Sequence, residues 1–111
     1  MSHRQEKLSA LFKKEISILI QETIPEEMGI VTLTELELTA NIKEAKVYIS
    51  LLDKSKEKEA LKILNANSKG FQYFLGRKFR MKFTPKLIFL IDHGLDNIEK
   101  IDKILRKVSK K

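Results

Sequence analysis

The chain has 111 residues, 42 % of them apolar, and a formal net charge of +7. That length suits one domain with one core, and the apolar share excludes wholesale disorder. The absence of cysteine excludes a disulfide framework and thiolate metal sites, and fits a reducing compartment.

The N-terminal stretch MSHRQEKLSALFKKE is charged throughout and lacks the apolar block of a signal peptide. No apolar run approaches the roughly 20 residues that cross a bilayer. A soluble, cytoplasmic protein is expected. Ser2 and Gln5 form a Ser-x-x-Gln capping box that opens a helix. Leu8, Leu11, Phe12, Ile16 and Leu19 recur at helical steps and form one apolar stripe. Pro25 and Gly29 close the segment, so the first helix is predicted from Ser2 to Glu22.

Ile30 to Leu38 is rich in Val, Leu and Thr and reads as a strand. Val31 and Leu33 share one parity, Leu36 and Leu38 the other. The slip marks either a bulge or a strand covered on both faces. Thr39 to Lys43 supplies a short turn. Ala45, Val47, Ile49 and Leu51 then alternate with Lys46, Tyr48 and Ser50, a strand with one buried face. The short link predicts an antiparallel hairpin.

Asp53 or Ser55 caps the next helix, with Ala60, Leu61 and Leu64 toward the core. Asn65 to Gly70, NANSKG, interrupts it with small, polar, weak helix formers. Phe71, Phe74, Leu75 and Phe79 resume the pattern as a buried stripe, which predicts two helices meeting at a kink. Arg80-Met81-Lys82-Phe83 alternates like an emerging strand that places Arg80 and Lys82 on one face; Pro85 disturbs it, and Leu87 to Ile91 completes a buried strand. Asp96-x-x-Glu99 opens a last helix with the stripe Ile98, Ile101, Leu105 and Val108, followed by a basic tail.

The charge is unevenly placed. Between Ala60 and Ile91 stand seven Lys or Arg and no Asp or Glu, while the rest of the chain is balanced. A local positive field of this kind points to a polyanion, most often nucleic acid. Lys69, Arg77, Lys78, Arg80, Lys82 and Lys86 are the candidate phosphate contacts. Ser68, Lys69 and Gly70 lie where the second helix of the kinked pair begins, and helix N-termini attract anions. Such contacts position a protein on RNA without reading sequence.

Catalytic signatures are weak. His3 and His93 have no sequence partner that makes a general acid or base of either. Asp92-His93 is too small a set to hold a metal. Gly70 to Gly76-Arg77-Lys78 has the wrong spacing for a phosphate loop and ends without Ser or Thr. A non-enzyme is expected, with no cofactor, no metal and no small-molecule substrate.

Three stretches resemble the ribosome-binding factor A family of bacterial small-subunit assembly factors. VTLTELELT (Val31 to Thr39) and AKVYIS (Ala45 to Ser50) are similar to its hairpin. GFQYFLGRKFRMKFTPKLIFLID (Gly70 to Asp92) is similar to its helix, basic exit, proline and last strand. The resemblance covers about residues 4 to 92. It implies an α+β, type II KH-like fold: three strands under helices, here followed by a C-terminal helix, in a single domain over 1–111. Ordinary KH domains clamp backbone with a GXXG loop; this chain has none. The family carries an Ala-x-Gly kink, and Ser68-Lys69-Gly70 stands at that place. No surplus apolar stripe is left for a second copy, so a monomer is expected. The resemblance further implies a factor, important in the cold, that binds 16S ribosomal RNA in the free 30S subunit but not the joined 70S ribosome. It implies a part in processing the 16S 5′ end near that RNA's 5′-terminal helix. The alternative from the residues alone is a general RNA-binding or acidic-protein-binding module.

Overall fold

The computed structural model describes residues 3–93, with side chains from Gln5 onward. The predicted C-terminal helix and basic tail lie outside the described residues, as does Ser2 of the capping box. The first helix, α1, runs His3–Thr23. A short 3₁₀ turn, Glu26–Met28, follows and ends on Gly29, whose φ of 72° suits a residue without a Cβ. Strands β1 (Val31–Leu38) and β2 (Glu44–Leu51) form the predicted antiparallel hairpin. Helices α2 (Glu57–Ala66) and α3 (Ser68–Lys78) then lead to β3 (Lys86–Ile91). The sheet order is β1-β2-β3, and β3 lies parallel to β2. A parallel neighbour requires a long crossover, which the α2–α3 pair supplies.

The slip in β1 is a bulge. Leu33 faces Ile49 and Glu35 faces Tyr48, so Thr34 is the extra residue. The bulge lets Val31, Leu33, Leu36 and Leu38 all point into the core despite their mixed parity. They meet Ala45, Val47, Ile49 and Leu51 across the pair, and Leu87 and Phe89 on β3 complete the buried face. The same-face alternation of β2 is as predicted.

Both helical layers cover this one face. On α1 the deepest stripe is Phe12, Ile16 and Ile20, all fully buried. Leu8 and Leu19 pack at its margin, but Leu11 is 43 % exposed and leaves the predicted stripe. Steps of four residues keep Phe12, Ile16 and Ile20 in line, whereas Leu11 is rotated about 100° from Phe12. Ala60, Leu64, Phe71 and Leu75 bring α2 and α3 onto the same core. Phe12 stacks on Phe79 with ring centres 5.5 Å apart, and Phe71 meets Phe89 edge-on at 5.9 Å. Asp53, not Ser55, is the capping side chain, and it caps the 3₁₀ turn Lys54–Lys56 that leads into α2. Its carboxylate accepts from both the hydroxyl and the backbone N–H of Ser55, which hold its pKa below the usual value.

Candidate nucleic-acid interface

The predicted kink is real: α2 ends at Ala66, α3 begins at Ser68, and Asn67 joins them. Asn67 takes no cap from its own side chain, which donates back to the Ile63 carbonyl at 2.8 Å. Its carbonyl receives the N–H of Phe71. Ser68, Lys69 and Gly70 therefore form the first turn of α3, where backbone N–H groups lack partners within the helix.

The kink sits against the outer edge of β3. Lys86 and Asp92 direct their N–H groups to Lys43 and Ile49 on the β2 side. By alternation, Leu87 and Phe89 direct theirs away from the sheet. The Ser68 hydroxyl donates to the Leu87 carbonyl at 2.8 Å. The Phe89 N–H donates to the Asn65 side-chain carbonyl at 3.3 Å, and the Gln72 amide to the Thr84 carbonyl at 2.8 Å. Ser68 and Asn65 thus occupy an edge that would otherwise offer open strand groups, and Gln72 ties the loop that leads into it. Asn65, Ser68 and Gln72 follow helical spacing, a polar stripe beside the apolar one. That spacing is the sequence signal by which Asn65 and Gln72 were findable.

Over these bonds runs a groove of about 680 Å³, lined by Asn65, Ser68, Lys69, Gln72, Lys86, Leu87 and Ile88. It brings together Ser68, Lys69 and Lys86, from opposite ends of the acid-free window. Gly70 is exposed next to it. Ser68 enters the site with its hydroxyl proton already committed to Leu87.

Arg77, Lys78, Arg80 and Lys82 continue from the far end of α3. The expectation that Arg80 and Lys82 share a strand face is overturned, because residues 79–85 form a loop. The α3 helix closes instead in a Schellman motif: Met81 N–H donates to Gly76 at 2.8 Å and Arg80 N–H to Arg77 at 3.3 Å. Arg80 occupies the left-handed position at φ 52°. Strand pairing resumes only at Lys86, after the buried Pro85.

The four cations have different surroundings. Arg77 donates to the Tyr73 hydroxyl at 3.1 Å and lies 5.8 Å from that ring's centre. Lys78 pairs with Glu15 of α1 at 3.1 Å, so part of its charge faces the protein itself. Lys82 lies 5.7 Å from the ring centre of Phe83. Arg80 is exposed. The buried aromatic stripe needs correction as well. Phe71 is buried and Phe79 half-buried, but Phe74 is 42 % exposed with Lys78 near its ring. Tyr73 and Phe83 are exposed outright. Phe74 is rotated by three residues from Phe71, to the rim of the helix contact.

His93 is exposed beside Asp92, whose carboxylate accepts from the bulge residue Thr34 at 2.6 Å. Among the described residues no cluster of His, Cys, Asp and Glu could hold a metal ion, and no helix is long and apolar enough to cross a membrane.

The family model described as ribosome-binding factor A matches residues 4–105. Ribosome-binding factor A of Caldanaerobacter subterraneus is 35 % identical over 99 % of this chain and 93 % of its own length. That of Desulforamulus reducens is 33 % identical over 98 % and 92 %. The crystal structure of the Thermus thermophilus factor superposes with a TM-score of 0.69 at 24 % identity, covering 78 % of this chain and 92 % of that one. A homology model of the Thermus factor, fitted into a cryo-electron-microscopy map of its complex with 30S, gives 0.67 at 25 % identity, over 76 % and 90 %. The element order, the mixed sheet and these superpositions agree with the type II KH-like architecture. Matched along nearly its whole length, the chain belongs to the ribosome-binding factor A family.

Proposed function

We propose that this protein is a non-catalytic ribosome-binding factor that docks on the free 30S subunit, and not on the joined 70S ribosome, during late maturation. Its RNA contact runs from the kink (Ser68, Lys69, Gly70) and Lys86 along α3 to Arg77, Lys78, Arg80 and Lys82. Lys78 is the weakest member, since Glu15 competes for it. The observation that carries the reading is the acid-free window folding into one continuous unit, the end of α2, α3, its exit loop and β3, in a chain of this family. The complex of the Thermus factor with 30S supports the choice of subunit. The phosphate contacts supply affinity that falls with salt. In this reading the protein works as a cytoplasmic monomer and promotes processing of the 16S 5′ end, most strongly in the cold.

Co-sedimentation with separated small subunits, large subunits and joined ribosomes tests it. Association with free small subunits alone is expected. Equal binding to all three, fading together as salt rises, would reduce the basic unit to a general polyanion patch. Accumulation of 5′-extended 16S RNA in cells lacking the protein tests the maturation step; normal 5′ ends would remove that part.

A further inference from the structure

A second concave site lies away from the kink groove. The turn between β1 and β2 and the loop between α3 and β3 meet around a pocket of about 560 Å³, lined by Asn41, Ile42, Lys43, Met81, Phe83 and Thr84. Its two walls are tied together, since the Lys86 N–H donates to the Lys43 carbonyl at 2.8 Å.

Two independent features distinguish this pocket. The first is backbone strain. Ile42 (φ 57°) and Arg80 (φ 52°) are the non-glycine residues of the described chain with positive φ. Ile42 lines the pocket and Arg80 precedes Met81, which lines it. A β-branched residue in the left-handed region is a costly outlier. The turn holds it there with a dense set of bonds. Thr39 O accepts from Ile42 N–H at 2.9 Å, and the Asn41 side-chain oxygen accepts from the Thr39 hydroxyl and from Lys43 N–H. Strain maintained by surrounding bonds gathers at binding sites.

The second feature is an exposed aromatic ring in a pocket with cations. Phe83 is 80 % exposed, so it contributes little to the core. Lys82 stands 5.7 Å from its centre and Lys43 lines the same pocket. An exposed ring with one ammonium beside it and a second on the same pocket matches an unpaired nucleotide, whose base stacks on the ring while its phosphates meet the ammonium groups.

Resting on the functional reading above, we infer that this pocket seats one unpaired base of the RNA, stacked on Phe83, with Lys43 and Lys82 on the flanking phosphates. This makes Phe83 and Lys43 contact residues in addition to those of the kink groove. The site favours a looped or single-stranded segment over a continuous duplex, because a base inside a helix offers no free face.

The test compares Phe83→Tyr, Phe83→Leu and Phe83→Ala in binding to isolated small subunits at several salt concentrations. Thermal melts confirm that this exposed position leaves folding unchanged. Tyr is expected to bind like the wild type. Leu and Ala are both expected to lose about 5- to 150-fold, the range for one stacked base, with the salt dependence unaltered. Lys43→Ala should instead flatten the salt slope by about 0.7, one phosphate of a single strand. Wild-type affinity in the Leu variant would overturn the base and indicate an apolar contact with a protein. Wild-type affinity in all three would remove Phe83 from the interface. If the wild type itself fails to bind small subunits, the functional reading falls, and this inference with it.

Discussion

The hydroxyl of Ser68 donates to the carbonyl of Leu87 at 2.8 Å, across 19 residues of sequence. This bond and the neighbouring one from Phe89 N–H to Asn65 hold the kink to the edge of β3. Asn65→Ala is expected to accelerate hydrogen exchange of the Phe89 amide and to cost about 1 kcal/mol, the usual net value of one such bond. Ser68→Ala should cost about as much or less, since Ser68 is only half-buried. The double variant should show concentration-dependent association through the uncovered edge. Unchanged Phe89 exchange in Asn65→Ala would mean that the latch does not hold in solution.

Gly76 and Thr84 are in close approach. A Cβ added at Gly76 would lie 2.6 Å from the Thr84 hydroxyl oxygen. Gly76→Ala is therefore expected to destabilise the fold by about 1–3 kcal/mol, as overpacking does. In a Thr84→Ala background the same change should be neutral or stabilising, because alanine favours the helix by about 1 kcal/mol. Urea melts of the four variants give the coupling directly. Additive effects would show that the loop carrying Lys82 and Phe83 is not seated against α3.

Arg80 fills the left-handed position of the α3 Schellman motif, a place usually taken by glycine. Arg80→Gly should raise stability by about 1 kcal/mol at an unchanged denaturant slope. The same variant should bind small subunits less tightly and with a shallower salt dependence, having lost a cation. Stability gained with binding unchanged would remove Arg80 from the RNA contact.

Lys78 differs from the other cations because Glu15 holds it, with only 14 % of the Glu15 side chain exposed. Lys78→Glu should lower the melting temperature by bringing two carboxylates together. The exchange Glu15→Lys with Lys78→Glu should recover most of that loss. Arg77→Glu, Arg80→Glu and Lys82→Glu combined should leave folding intact and abolish subunit binding. If Lys78→Glu melts like the wild type, the ion pair contributes nothing and Lys78 is free to meet RNA.

The helices and strands were legible because each carries a local period. The β2 alternation and the kink signalled by NANSKG reappear in the structure, and of the two readings of the parity slip at Leu33 to Leu36 the structure shows the bulge. The candidate site was legible only as an inventory of cations. Alternation suggested a strand at Arg80 to Phe83, but α3 closes on Gly76 and makes a loop. Helical spacing put Phe74 with Phe71, but the helix contact is narrower than the apolar stripe.

Periodicity and composition alone set the element order, the buried faces and the place of the charge surplus, because burial against one surface imposes a repeat that a short window records. The parallel placement of β3, the latch of Asn65, Ser68 and Gln72, the loss of Lys78 to Glu15, and the stacking of Phe12 on Phe79 belong to packing. Each joins residues far apart in sequence, and no local repeat encodes which distant groups come within hydrogen-bonding or ring-contact distance once the layers close.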